Sequence, residues 1–200
     1  MSSVGAYALV SLEEAKEVLN ITDNSAEKDR LIERLIDRTT SLLESYCDRK
    51  FKARDYTNEE YDGDGTDYLL LDNYPVNSVD SLYDDTTRVF NSSSLVDEDN
   101  YVIYSEEGKI GVVSITGSPG FYAQFSEGKR NIRITYNAGY SSMPDDLKMI
   151  ALEILIKKFQ TYDSRRVGIL SVGVHGDALT INLGDILPEH REILDRKYRR

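Results

Sequence analysis

The sequence has few of the residues from which redox, metal and nucleophilic sites are usually built. It has one cysteine, Cys47, so a disulfide scaffold and a cysteine-based zinc site are both excluded. The two histidines, His175 and His190, are too few to complete a transition-metal cluster. Bases are also scarce, since 24 lysines and arginines stand against 35 acids and give a net charge of -11. That balance argues against a free-standing nucleic-acid binder, whose affinity depends on basic residues at phosphates.

Long hydrophobic runs are missing as well. The richest apolar window, residues 149–156, is interrupted by Glu153 and falls far short of the roughly 18 residues of a membrane span. The first ten residues lack the basic start and the apolar run of a secretory signal. We therefore expect a protein that is made and kept in a reducing compartment, with no membrane contact. A length of 200 residues favours one domain, or one domain with a large insertion.

Helical periodicity dominates the first part of the chain. Ser11 and Glu14 have the spacing of a capping box before a short helix over residues 12–19. A long helix is predicted over residues 26–49, because apolar side chains recur there at helical spacing. These are Leu31, Ile32, Leu35, Ile36, Leu42, Leu43, Tyr46 and Cys47. The position of Cys47 on this stripe favours a small buried hydrophobe over a reactive thiol.

The composition changes between residues 54 and 142. Tyrosine, valine, threonine and glycine turn pairs become frequent, and short alternating runs predict strands. The predicted strands cover residues 68–71, 79–83, 101–104, 110–115 and 132–136. We therefore predict an α+β protein, a small helical bundle of long antiparallel helices plus a C-terminal helix, with a large β-rich insertion between the second and third helices. The predicted parts are 1–53, 54–142 and 143–200, within one folded unit.

The third predicted helix opens at Pro144 and is apolar on two sides. One face should pack on the long helix, which has the only comparable apolar stripe. That face consists of Leu147, Ile150, Ala151, Ile154, Leu155, Phe159 and Tyr162. The opposite face consists of Met149, Leu152 and Ile156. This second face is either covered within its own subunit or contacts a neighbouring subunit in a ring.

Charge is distributed unevenly along the chain. The net charge is -5 over residues 1–48, -7 over residues 49–143 and +1 over residues 144–200. The last six residues hold four bases and one acid, so an acidic body ends in a basic tail. We predict that this tail docks on an acidic protein surface. The docking residues are Arg196, Lys197, Tyr198, Arg199 and Arg200.

No catalytic constellation is evident. Residues 168–173 miss the Gly-x-Ser-x-Gly spacing of a nucleophile elbow by one position. His175 falls in a predicted hairpin turn and His190 on a last helix that Pro188 opens, so both favour structural roles. The loop Asp62-Gly63-Asp64-Gly65-Thr66-Asp67 lacks the acids that a calcium loop needs further along, which favours a solvated hairpin turn. We predict no catalytic residue, no cofactor and no metal site.

Several motifs stand in a consistent order along the chain. They are Leu12-Glu13-Glu14-Ala15-Lys16, Leu43-Glu44-Ser45-Tyr46-Cys47-Asp48-Arg49-Lys50-Phe51, Tyr61-Asp62-Gly63-Asp64-Gly65, Leu69-Leu70-Leu71 with Pro75-Val76-Asn77-Ser78-Val79, Tyr136-Asn137-Ala138-Gly139-Tyr140 with Met143-Pro144-Asp145-Asp146-Leu147, and Leu187-Pro188-Glu189 before the basic end. In this order the chain resembles the head–tail connector (adaptor) proteins of tailed double-stranded DNA phages and their prophage relatives. The resemblance covers nearly the whole chain.

The resemblance implies a structural virion protein without catalytic residues. Such adaptors form a ring, commonly of twelve subunits, beneath the portal, where the ring extends the DNA channel and joins head to tail. The implied partners are the portal protein, the next neck or tail component and further copies of the chain, while double-stranded DNA passes without specific binding. The implied location is the head–tail junction of the virion, after synthesis in the host cytoplasm. The portal is then the surface on which the basic tail would dock.

Three alternatives stay open at this point. Another phage neck or tail protein, such as a stopper or tail terminator, would account for the same resemblance. A ligand-binding β module could use the tyrosines of the insertion, although ordinary strand packing also explains them. A small hydrolase would need a nucleophile and a base that the sequence does not offer. The long insertion itself departs from the compact, mostly helical members of the resembled family.

Overall fold

The computed structural model describes residues 4–23, 25–113, 123–163, 171–174, 177–180 and 186–199. Its helices are α1 (Leu12–Val18), α2 (Ala26–Cys47), α3 (Asp145–Asp163) and α4 (Pro188–Lys197). Its strands are β1 (Arg54–Gly63), β2 (Tyr68–Leu70), β3 (Val76–Asp84), β4 (Tyr101–Tyr104), β5 (Lys109–Val112), β6 (Gly128–Ala138), β7 (Ser171–Val174) and β8 (Asp177–Thr180). The α+β class is confirmed, and so is the β-rich insertion between the second and third helices.

The chain divides into two compact units. The helical unit combines Met1–Arg49 with Met143–Arg200, so it is built from both ends of the chain. The β-rich unit is the continuous stretch Lys50–Ser142. Sixteen acids and eight bases lie in the β-rich unit, which therefore carries most of the net negative charge of the chain.

The helical unit is organised around α2. Ile32, Ile36 and Leu43 are fully buried on its apolar stripe. Helix α3 packs on α2, and both contact α1. The α3 side chains that were expected to face α2 are buried from Leu147 to Leu155, half-buried at Phe159 and exposed at Tyr162. The predicted packing of α3 on the long helix is confirmed, and the burial along this face agrees with it.

The helix ends follow the signals in the sequence. Ser11 Oγ accepts a hydrogen bond from the Glu14 backbone N–H at 3.1 Å, and a Glu14 carboxylate oxygen accepts one from Ser11 N–H at 2.8 Å. This confirms the capping box of α1, which satisfies backbone donors that the first turn would leave unpaired. Helix α2 ends two residues before its predicted limit, because Asp48 takes a left-handed conformation at φ 52°.

The β-rich unit contains two three-stranded antiparallel sheets. Their strand orders are β1-β6-β3 and β2-β5-β4. The central strand β6 buries alternate residues, because successive side chains of a strand point to opposite faces. Both sheets contribute to one apolar core. Its buried members are Leu69, Leu71, Val76, Leu82, Ile110, Phe125, Ile132, Ile134, Tyr136 and Ala138.

The two ends of the β-rich unit lie side by side. Tyr140 N–H donates to the Phe51 carbonyl at 2.6 Å, and Ala53 N–H donates to the Tyr140 carbonyl at 3.1 Å. Gly139 reaches this junction with φ at 111°, and a Cβ there would lie 2.7 Å from Ala53 N. Only glycine fits that combination of backbone angle and close approach.

One strand of this unit is missing from the sequence-based prediction, and one predicted turn is wrong. Strand β1 is not predicted at all, although it pairs along most of its length with β6. The hairpin turn predicted at residues 62–67 is a connection between the two sheets, because β1 pairs with β6 whereas β2 pairs with β5. In the C-terminal part, β7 and β8 form the predicted antiparallel hairpin, and its predicted turn residue His175 lies outside the described residues.

Candidate functional site

The C-terminal basic segment (residues 195–200) is held on its own unit. Tyr198 is only 4% exposed, and its hydroxyl donates a hydrogen bond to Asp146 in the first turn of α3. Lys197 Nζ lies 2.6 Å from the other carboxylate oxygen of Asp146. Burial works against ionisation of Asp146, but the hydrogen bonds from Lys197 and Tyr198 outweigh it and keep the pKa of this carboxyl below its usual value.

A second set of contacts joins the same segment to α2. Tyr46 donates its hydroxyl to Asp195 at 3.0 Å, and the Arg199 guanidinium lies 5.4 Å from the centre of the Tyr46 ring. Burial, followed by the Asp195 carboxylate, raises the pKa of Tyr46. Arg196 is exposed, and Arg200 lies outside the described residues. The described part of the basic segment is therefore attached to the rest of the helical unit by side-chain contacts. Its docking role stays a prediction.

The three residues of the second face of α3 differ in how exposed they are. Met149 is 55% exposed, whereas Leu152 is 9% exposed and Ile156 is half-buried. The structure thus brings the three predicted interface residues to one side of the helix, but Leu152 already packs within its own chain. Met149 is the residue of this set that a neighbouring subunit would reach most directly.

A pair that the sequence prediction missed links the half-exposed Glu153 of α3 to a buried histidine of α4. His190 Nε2 is 2.5 Å from a carboxylate oxygen of Glu153, and the His190 ring is almost completely buried. Glu153 is the acid that interrupts the richest apolar window, and this interruption was the available signal. The pair ties α4 to α3, and so it helps to position the segment that follows α4.

The acidic loop of the β-rich unit uses its carboxylates internally. Asp62 accepts hydrogen bonds from Lys129 Nζ at 2.6 Å and from Arg130 N–H at 2.8 Å. These contacts, with Lys129 contributing most, lower the pKa of Asp62. Asp64 accepts from the backbone and hydroxyl of Thr66. The carboxylates therefore stabilise the connection between the sheets.

Reactive chemistry has little support among the described residues. Cys47 is buried at the end of α2, and burial raises the pKa of its thiol to about 11, which keeps it protonated and unreactive. Within the described ranges, no group of three or more histidine, cysteine, aspartate or glutamate side chains is placed to hold a metal ion. None of the described helices combines the length and apolar character that a membrane span needs.

One family model matches almost the entire chain. The head completion protein model covers residues 8–200, which includes the whole β-rich unit and all but the first seven residues of the helical unit. This chain belongs to the head completion protein family. The resemblance to phage head–tail connector proteins is thereby confirmed, and family membership implies a structural role in the virion.

Solved structures share the fold of this head completion protein. A chain in the neck of an empty gene transfer agent (GTA) particle, computed with C6 symmetry, is 16% identical, with a TM-score of 0.58 over 100% of this chain and 94% of that chain. A chain in the virion of a native GTA particle is 16% identical, with a TM-score of 0.53 over 100% and 92% of the two chains. A chain in the neck of the native particle, computed with C12 symmetry, is 17% identical, with a TM-score of 0.51 over the same shares. No curated protein sequence matches this chain significantly.

Proposed function

We propose that this head completion protein is a structural part of the neck of a tailed phage or phage-like particle, where its copies form a ring below the portal. The observation that carries the proposal is the family match over residues 8–200. The likeness to a neck chain computed with C12 symmetry supports a ring of twelve subunits. In this role the ring continues the DNA channel and presents a surface to the next neck component.

The charge of the chain supports passage of DNA rather than binding. A net charge of -11 repels phosphates, and salt screens this repulsion without reversing it. Binding of duplex DNA normally requires several lysines or arginines placed against phosphates. Two basic residues of the C-terminal segment, Lys197 and Arg199, are instead engaged with Asp146 and Asp195 of the same unit.

The portal contact is assigned to the exposed charge of the C-terminal basic segment. Lys197 and Tyr198 position the segment through Asp146, while Arg196 is available to an acidic partner. Because a single surface ion pair contributes only about 0–1 kcal/mol, Arg196→Glu should be combined with Arg200→Glu. The pair should lose co-purification with the portal while the melting temperature stays unchanged. Arg191→Glu, an exposed charge reversal on the same helix, is the matched control and should retain the portal.

The ring contact is assigned to the α3 face of Met149, Leu152 and Ile156. A glutamate at position 152 would place a charge inside the unit, so Met149→Glu is the sharper variant. It should fold and melt normally but fail to form rings on the portal, as seen by electron microscopy. Tyr162→Glu, an exposed change on the opposite side of α3, should still form rings. Normal rings with Met149→Glu would move the subunit contact elsewhere.

The position in the neck distinguishes this proposal from the related roles. Particles assembled without the protein should contain portals and filled heads but lack attached tails. In complete particles, labelled protein should lie directly below the portal. A label at the far end of the neck or at the tail would instead favour a stopper or a tail terminator.

A further inference from the structure

One sheet of the β-rich unit presents an apolar face to solvent. In the register of β2-β5-β4, Tyr68 is paired with Gly111 and Gly111 with Val102, while Leu70 is paired with Lys109 and Lys109 with Tyr104. All these positions share one face because strand side chains alternate. We call the face formed by Tyr68, Leu70, Val102, Tyr104 and Lys109 the outer sheet face.

The opposite face of the same sheet packs on the apolar core of the β-rich unit. Leu69 and Ile110, one residue along, are buried in the core of the unit. The four apolar and aromatic side chains of the outer sheet face are instead 37–49% exposed. A one-sided sheet in a monomer normally carries polar residues on its solvent face, so contiguous apolar residues there indicate a binding surface.

The outer sheet face is organised before any partner arrives. Lys109 Nζ lies 4.6 Å from the centre of the Tyr68 ring and 5.1 Å from that of Tyr104. The ammonium is therefore attracted to two ring faces and holds both rings in place. Gly111 lets the Tyr104 ring lie close to the strand, since a Cβ at Gly111 would be 3.0 Å from Tyr104 Cε2. Rigid tyrosines of this kind supply contact area at a low cost in side-chain entropy.

Exposed acids lie in the chain segments that adjoin the strand ends of this sheet, and we call them the acidic rim. Exposed carboxylates precede and follow β2 and β4 in the sequence, whereas Lys109 is the one base on its strands. The acids are Asp67, Asp72, Asp97, Glu98, Asp99, Glu106 and Glu107. An apolar centre with an acidic rim is complementary to a partner that combines apolar and basic side chains. The same rim repels nucleic acid and also repels the equally acidic β-rich unit of a second copy.

We propose that the outer sheet face docks a basic, apolar-bearing segment of another protein. The strands of this sheet are three to four residues long, so the face suits a short extended segment whose alternate side chains are apolar and basic. This inference goes beyond the proposed ring and portal contact. It rests on the outer sheet face alone and assigns a task to the insertion.

Peptide binding tests the inference directly. The protein has no tryptophan, so the fluorescence of a single tryptophan in a synthetic peptide reports binding without background. The probe is a peptide of alternating lysine and valine with one central tryptophan, and its partner has glutamate in place of every lysine. The lysine peptide should bind and the glutamate peptide should not. Glu106→Gln with Glu107→Gln should reduce both the affinity and its dependence on salt.

Variants of the apolar centre separate specific docking from general attraction to an acidic protein. Leu70→Ser with Val102→Thr should weaken binding of the lysine peptide by about tenfold or more. Val89→Thr, which changes a 66% exposed valine of the same unit outside the strands of this sheet, should leave the affinity unchanged. If circular dichroism shows that the double variant is unfolded, Val102→Thr alone takes its place, because threonine keeps a β-branched side chain on the strand.

Three results would overturn the proposal. The first is equal binding, or no binding, of the lysine and glutamate peptides. The second is unchanged binding of the lysine peptide by the folded Leu70 and Val102 variant. The third is a concentration-dependent dimer of the unmodified protein in sedimentation runs that the same variant abolishes, since the occupant would then be a second copy. None of these results would affect portal binding or ring formation, so the neck role is tested separately.

Discussion

The helical unit brings together two chain segments separated by the whole insertion, whereas the β-rich unit is one continuous stretch. In the helical unit, ion pairs between distant residues accompany the apolar packing, as in Lys148–Glu14 at 2.8 Å and Lys197–Asp146 at 2.6 Å. In the β-rich unit, backbone hydrogen bonds join β1 and β3 to the central strand β6. The difference indicates that loss of an ion pair should act mainly on the first unit and changes of backbone conformation mainly on the second.

Core truncation should give the largest effects and should show whether the two units respond separately. Leu43→Ala in α2 and Ile134→Ala in β6 each remove a fully buried side chain, so each should lower the free energy of unfolding by about 2–5 kcal/mol. Hydrogen exchange should show the loss of protection in the unit that carries the change. Equal loss of protection in both units from either variant would show that the units unfold as one.

A change that strains the backbone should cause the next largest loss of stability, and only in the β-rich unit. Gly139→Ala forces a side chain into a left-handed backbone and against Ala53 N, so it should destabilise the unit by roughly 1–3 kcal/mol or more. Gly111→Ala is the matched control, because Gly111 is not in a left-handed conformation and the nearest atom to the added methyl belongs to the Tyr104 ring rather than to the backbone. Thermal melts of both variants check this, and equal shifts would remove the special role of Gly139.

Strand β1 has a sequence pattern that does not identify it as a strand. Tyr56 and Tyr61 both turn toward the apolar core of the β-rich unit, yet they are five residues apart, an odd spacing that strict alternation forbids. A bulge between Tyr56 and Glu59, with Asn58 at φ 56°, changes the phase of the strand. The bulge and the many acids of β1 together obscure its alternation of apolar and polar residues. The apolar stripe of α2 was predictable because no such interruption occurs in it.

The C-terminal basic segment and the second face of α3 were only partly predictable from the sequence. The basic composition of the last residues was evident, but their attachment to Asp146 and Tyr46 depends on how α3, α4 and α2 pack. The two-faced pattern of α3 was also evident, whereas the burial of Leu152 within its own chain was not. Pairings between residues far apart in sequence leave no local pattern, so they emerge only once the helices are assembled.

An ion-pair variant should have a smaller effect that depends on pH. The hydrogen bond from Lys148 lowers the pKa of Glu14 from its ordinary value of 4.5. The contribution of Glu14 to stability is therefore fully present above pH 4.5 and is lost as the pH falls through the lowered pKa. Glu14→Gln should cost about 1 kcal/mol or less at pH 7, and nothing near pH 2, in denaturant unfolding.

The β-rich unit offers the matched comparison for that variant. Lys129 pairs with Asp62 at 2.6 Å, but both side chains are largely exposed. Lys129→Ala should therefore leave the unfolding midpoint unchanged. A loss as large as that of Glu14→Gln would contradict the contrast between the two units.

The smallest expected change is a gain in stability. Asp48 ends α2 in a left-handed conformation that glycine adopts without strain. Asp48→Gly should raise the free energy of unfolding by about 0.5–1 kcal/mol, offset partly by the greater freedom of glycine in the unfolded chain. Thermal unfolding would detect the shift, and Asp48→Ala should move the midpoint in the opposite direction.

The side-by-side ends of the β-rich unit have a consequence for the order of folding during synthesis. Once Tyr140 has left the ribosome, every strand of that unit is available and Tyr140 can close on Phe51. Helix α2 is made first, but its apolar stripe waits for α3, which follows the stretch Lys50–Ser142. At typical synthesis rates that wait lasts about 5–20 s, a long time for a nascent helix to keep an apolar stripe uncovered. We therefore expect the middle of this chain to complete its fold before the beginning does, and the apolar stripe of α2 to stay uncovered until α3 is made.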